Sequence, residues 1–160
     1  MIRFKCVFNA LGKILLIVAV MMVIPLGWSL IHRDGELFSL LLTMLIYALL
    51  GLAFVVSTGE RGAIRAKEGF LIVTLSWVLV SLIGALPYYF GHILPDYISA
   101  FFETMSGFTT TGGTAIADVE EVPASILVWR AMTQWLGGLG VVVLFVAVLS
   151  QVDTGGLTML

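Results

Sequence analysis

The sequence predicts an all-α integral membrane protein, with two leading transmembrane helices followed by one module of helix, re-entrant half-helix, loop and helix. Three observations predict it. Only 11% of the residues are charged and 60% are hydrophobic, with a mean hydropathy of +1.11; a soluble domain carries about 25% charged residues. The apolar residues gather into long charge-free runs, Ile14 to Ile31, Leu37 to Gly59 and Gly69 to Pro95. Between the third run and a last one stands Gly107-Phe108-Thr109-Thr110-Thr111-Gly112-Gly113, nearly all hydroxyl, glycine and bare backbone.

Composition also excludes several classes. A net charge of −2 without a basic patch excludes a nucleic-acid partner. The single cysteine, Cys6, excludes an internal disulfide, and no His or acid stands close to it in sequence to activate the thiol. There is no GxGxxG, no GxxxxGK and no metal-spaced His/Cys cluster, so no enzyme class is indicated and no cofactor is called for. His32 and His92 each close an apolar run and read as interfacial residues.

Met1 to Lys13 is short and basic, with Arg3, Lys5 and Lys13. The run behind it continues through Trp28 to Ile31 without an A-x-A site, so it reads as a retained helix and not a cleaved leader. Pro25 should kink its outer part. After the turn His32-Arg33-Asp34-Gly35-Glu36, Leu37 to Gly59 is long enough to cross a hydrocarbon core of ~30 Å. These two helices form a hairpin. Glu60 to Glu68 is a charged loop with Arg61, Arg65 and Lys67, and it closes a first unit, residues 1–68.

The second unit, residues 69–160, opens on the run Gly69 to Pro95. Its Tyr88-Tyr89 pair fits an aromatic belt, and Pro87 bends or ends the helix. Asp96 can cap a helix beginning at Tyr97. That helix, Tyr97 to Ser106, is too short to cross a bilayer, and Gly107 is a good residue to end it. The chain then leaves through Ala115 to Glu121. The last helix starts near Ser125 and runs to about Val152, with Arg130 near its outer end, and the tail Asp153 to Leu160 has no expected structure of its own.

Lysine and arginine set the orientation. The N-terminus and the Glu60–Glu68 loop hold three each, the first turn holds one, and Asp96 to Glu121 hold none. Both termini are therefore expected in the cytoplasm, with the half-helix entering from outside.

Non-helical backbone at membrane depth is tolerated only where protein buries it or a watery cavity meets it. Glycine lets carbonyls turn, threonine adds oxygen without charge, and rings of such carbonyls select potassium. Thr and Gly are also ordinary turn residues, so the flanks matter. The half-helix aims its carbonyl end, roughly half a negative charge, at the loop. Asp118, Glu120 and Glu121 follow on the outer side, where acids either concentrate cations or simply solvate a loop. Trp135-Leu136-Gly137-Gly138-Leu139-Gly140 either makes room for the half-helix, leaves space below the loop open, or packs closely against a neighbour. Glu103 reads as structural, bonding loop backbone. Arg130 either anchors at the interface or pairs with an acid such as Glu103.

Met105-Ser106-Gly107-Phe108-Thr109-Thr110-Thr111-Gly112, with Trp129-Arg130 and Gln134-Trp135-Leu136-Gly137-Gly138, resembles the Trk-type potassium uptake proteins of the Trk/Ktr/HKT superfamily. Arg33-Asp34-Gly35, Glu68-Gly69-Phe70-Leu71-Ile72-Val73 and Gly84-Ala85-Leu86-Pro87 extend the match over essentially the whole chain. The resemblance implies potassium as the cargo, carried across a bacterial inner membrane as one pore domain. Backbone oxygens at Thr110 and Thr111 would coordinate the ion, with Thr109, Gly112 and Gly113 supporting the filter loop. It also implies two leading helices and four pore repeats in one polypeptide, with a peripheral cytoplasmic nucleotide-binding partner. This chain resembles the leading pair and the first repeat only. The expectation is therefore an N-terminal portion that needs the remaining repeats. The alternatives are a non-transporting remnant or assembly subunit, or a channel of four identical copies.

Overall fold

The computed structural model describes residues 3–59 and 66–156, all helix and connecting loop. Seven helices follow one another: α1 Phe4–Met21, α2 Val23–His32, α3 Leu37–Thr58, α4 Ala66–Gly84, α5 Leu86–Phe90, α6 Tyr97–Phe108 and α7 Ala124–Gly156. The expected charged loop lies largely outside the described residues, Arg61 and Arg65 included.

Helices α1 and α2 together make one apolar span, Phe4–His32, interrupted at Met22. The interruption stands one turn before Pro25, whose ring crowds the carbonyl four residues back, at Met21. Leu37–Thr58 and Lys67–Phe90 complete the three helices that, among the described residues, are long and apolar enough to cross a membrane. The third is bent at Ala85, two residues ahead of Pro87. Helix α7 runs 33 residues and passes the expected Val152 to reach Gly156.

Sequence chemistry explains how these rods pack. Gly12 of α1 and Gly51 of α3 face each other so closely that a Cβ on Gly12 would lie 2.7 Å from the Gly51 carbonyl oxygen. Small residues at a crossing let backbones approach where no water drives association. Asn9 ties the same pair by donating from Nδ2 to Thr58 Oγ1 at 3.0 Å. At the N-terminal end of α1 Arg3 bonds buried Glu68 of α4, with Nη2 to Oε2 at 2.9 Å.

Aromatic side chains with a polar end fix α4 against both α3 and α7. Buried Tyr47 of α3 donates to the Val80 carbonyl at 2.5 Å. Buried Trp129 of α7 donates from Nε1 to the Gly84 carbonyl at 3.1 Å. Gly84 is the crossing point, because a Cβ there would meet Tyr47, Thr104 and Trp129 together. By contrast Val20, Ile31, Phe38 and Val56 stay more than two-thirds exposed. Such a surface is suited to lipid chains and not to water.

Helix α6 sits against α4 and α7. Asp96 caps it, accepting from the Ser99 N–H at 2.9 Å and the Ser99 hydroxyl at 2.8 Å. Those two bonds hold the Asp96 carboxyl below its usual pKa. At 12 residues the helix is about 18 Å long, well short of a bilayer core. It corrects the expectation at Gly107. That glycine lies inside the helix and is buried, because Thr133 of α7 occupies the place where its Cβ would be. The helix ends one residue later, at Phe108.

Candidate functional site

The loop grows out of the last turn of α6. Thr109 donates its N–H to the Met105 carbonyl at 2.8 Å, Thr110 to Gly107 at 3.0 Å and Thr111 to Ser106 at 3.0 Å. Three successive amides thus fold back onto the helix end. Two residues adopt left-handed backbone to do this, Thr110 at φ +56° and Gly112 at φ +78°. For Gly112 this was foreseeable, since glycine visits that region without a steric penalty. Thr110 was not, because a β-branched residue at positive φ is an outlier.

Thr110, Thr111 and Gly112 lie exposed, with Thr109 and Gly113 half-buried beside them. Among the described residues, no hydrogen bond reaches the carbonyl oxygens of Thr110, Thr111 or Gly112. The Gly113 carbonyl is held by the Ser106 hydroxyl at 2.6 Å, which closes the loop across its base. Thr109 and Thr111 share a hydroxyl–hydroxyl bond at 2.8 Å, and Thr109 Oγ1 also donates to the Met105 carbonyl. The Thr109 and Thr111 side chains therefore brace the turn, while the main-chain oxygens of Thr110, Thr111 and Gly112 accept no hydrogen bond among the described residues. Among the described residues no cluster of three His, Cys, Asp or Glu side chains could hold a metal. An ion at this loop would meet neutral oxygen, which suits a weakly hydrated monovalent cation.

Behind the loop stands a charged brace. Glu103 of α6 is buried. Its Oε2 accepts from the Thr114 hydroxyl at 2.9 Å and the Ala115 N–H at 2.7 Å. Its Oε1 accepts from Arg130 Nε of α7 at 2.7 Å. Each carboxylate oxygen is thus engaged, so the buried charge is both paired and hydrogen-bonded, the condition under which burial is tolerable. Arg130 is a partner of Glu103 and not a free interfacial anchor. Asp118, Glu120 and Glu121 are exposed beyond the loop, with Asp118 folding back to accept the Glu120 N–H at 2.9 Å.

The glycines of α7 divide the work that the sequence left open. Gly137 makes room for the half-helix, since the Phe108 carbonyl group lies where its Cβ would be. Gly138 flanks the loop, with its nearest neighbour Thr110 Cγ2 at 3.9 Å from such a Cβ, and Gly140 faces open space. Ser106, Thr114 and Thr133 were not singled out from sequence. Hydroxyls within a few residues of a Gly-rich turn are the signal that could have found them.

A family model described as a cation transport protein, TrkH, matches residues 38–159, which takes in the loop, its brace and the glycines of α7. The chain belongs to the TrkH family of cation transport proteins. Family relatives agree along nearly all of it. The Trk system potassium uptake protein TrkH of Escherichia coli K12 is 36% identical over 97% of this chain and 32% of its own length. The Trk system potassium uptake protein TrkG of the same organism is 34% identical over 95% of this chain and 32% of its own length. The crystal structure of the potassium transporter TrkH from Vibrio parahaemolyticus superposes with a TM-score of 0.84 at 32% identity, covering 92% of this chain and 32% of that one. The chain spans about a third of the length of the curated relatives it matches.

Proposed function

We propose that this chain carries potassium across the bacterial inner membrane as the first pore domain of a Trk-type system, with the backbone carbonyls of Thr110 and Thr111 coordinating the ion. The observation that carries this reading is the exposed run Thr110, Thr111 and Gly112, whose carbonyls accept no hydrogen bond among the described residues, on a loop braced by Ser106 and Glu103. Relatives named for potassium uptake support the choice of cargo. Thr109, Gly112 and Gly113 shape the turn and touch no ion through their side chains.

Residues 1–68 form the leading hairpin and inner loop in this reading, and residues 69–160 form the pore domain. One loop supplies one wall of a filter, and a dehydrated ion needs a ring of oxygens to replace its water. The remaining walls come from further pore repeats. A peripheral nucleotide-binding subunit acts on the cytoplasmic side, where both termini lie. The lysine and arginine asymmetry supports that orientation. Cysteines placed at Gly35 and Asp118 should then react with an impermeant reagent from outside, and one at Lys67 should not.

Rubidium uptake into liposomes tests the reading. These 160 residues alone should carry no potassium-selective flux, and the same residues joined to three further pore repeats should carry it. Selective flux from a purified monomer would overturn the reading. The same flux from a cross-linked tetramer would replace it with a channel of four identical copies.

A further inference from the structure

Helix α7 begins without a side-chain cap of its own. Pro123 precedes it, and although the Pro123 carbonyl accepts from the Ile126 and Leu127 N–H groups at 3.0 and 3.1 Å, its side chain has no oxygen to offer. The Ser125 N–H is one of the donors that a helix leaves unpaired at its start. It is taken by a residue 91 positions earlier, Asp34, whose Oδ2 accepts it at 2.9 Å. The other oxygen, Oδ1, is held by the Ser29 hydroxyl at 2.6 Å and the Glu36 N–H at 3.3 Å. The carboxylate is thus fixed by the hairpin and presented to the second unit. Helix α2, which carries Ser29, packs along α7.

We propose that Asp34 is a positioning residue for the Thr/Gly loop: it seats the first turn of α7 and so sets where Arg130 meets Glu103. Arg130 lies five residues beyond Ser125 on the same helix, and a packed helix moves as a rod. The Arg130–Glu103 bond is already 2.7 Å, and Glu103 in turn holds Thr114 and Ala115. Such bonds are lost by about 3.6 Å. A slide of α7 by about one residue rise, ~1.5 Å, is therefore enough to uncouple the brace. The leading hairpin, though it carries no part of the loop, then helps to decide the loop's shape. The consequence for ion discrimination rests on the filter reading above; the mechanical coupling does not.

Amide hydrogen exchange at Ala115, in the purified protein at its natural length, tests the coupling directly. Asp34→Ala should speed exchange at Ala115 about tenfold, the effect of losing one charge-assisted bond, while amides in α1 and α3 change less than twofold. Asp34→Asn keeps an oxygen for the Ser125 N–H and should stay within about twofold of the parent at Ala115. Asn9→Ala loosens the same hairpin at its other end and should leave Ala115 unchanged. If Asp34→Ala does not accumulate in the membrane, Ser29→Ala frees the carboxylate without removing it and should move Ala115 the same way, by less. Unchanged exchange at Ala115 in Asp34→Ala, or in Ser29→Ala where that variant stands in for it, overturns the proposal. So does an equal rise in Asn9→Ala. Rubidium-over-sodium uptake, compared with Gly112→Ser, separates the two readings. A ratio that Gly112→Ser leaves intact sinks the filter reading alone.

Discussion

Gly137 of α7 lies directly against the main-chain carbonyl group of Phe108, the last helical residue before the loop. A side chain at Gly137 would strike backbone, which cannot rotate away as a flexible side chain can. Gly137→Ala should therefore push α6 off α7, at a cost of about 1–3 kcal/mol as for other overpacked sites. Gly140→Ala meets nothing within 4 Å and should be neutral or stabilising by up to ~1 kcal/mol. Thermal unfolding in detergent compares the two. Equal midpoints would show that the Phe108 contact is not a constraint.

At the loop, backbone and side-chain roles make opposite predictions. Gly112 has open space around it and φ +78°, so Gly112→Ser suffers only the left-handed penalty, roughly 1 kcal/mol or more. That penalty should pull the carbonyls out of line and lower potassium-over-sodium uptake more than it lowers protein level. Thr110→Ser keeps the hydroxyl and removes a β-branch at φ +56°, so it should be milder. Both are measured in the full set of repeats at matched protein level. Intact selectivity in Gly112→Ser with loss in Thr110→Ser would mean that side-chain oxygen coordinates.

Glu103 and Arg130 should behave as a coupled pair. Glu103→Ala strands Arg130 and frees Ala115, and breaking such a buried pair by removing one partner costs about 3–5 kcal/mol. Removing both charges together should cost clearly less than the sum of the single changes. A double-mutant cycle of unfolding stability provides the measurement. Strict additivity would show that the bond contributes nothing as a pair.

Acid should weaken the protein through Asp34. Burial raises its carboxyl, but the hydrogen bonds from Ser125, Ser29 and Glu36 outweigh that, and its pKa lies below the usual 3.8. A carboxyl depressed on folding adds stability that is fully present above the unfolded value and is lost as pH falls through the folded one. Unfolding midpoints should thus be flat in this contribution from pH 7 to about 5 and fall below about 4. Asp34→Asn should lower the midpoint at pH 7 and lose less on acidification than the parent. A parallel pH profile in the variant would remove Asp34 from the account.

Much of this was legible residue by residue. The spans follow from charge-free runs because lipid penalises charge at every position, whatever the rest of the chain does. The Asp96 cap is equally local, since its two bonds reach only as far as Ser99. The Thr/Gly loop announced itself by composition, and left-handed backbone at Gly112 follows from glycine's own freedom. The tertiary structure alone decided the rest. Gly107 looked like a helix stop, yet Thr133 packed against it makes it a helical contact, and the helix runs on to Phe108. Arg130 had two plausible fates from sequence, and Glu103, 27 residues away, settles on it only because α6 and α7 lie side by side. Asp34 belongs by sequence to the first turn, but it caps a helix that begins 90 residues later because α2 lies along α7. Hydropathy and propensity act on neighbours along the chain. Which polar group finds which partner depends on how rods of similar apolar character pack, and that is set by small residues such as Gly12, Gly51, Gly84 and Gly137, whose partners no local pattern names.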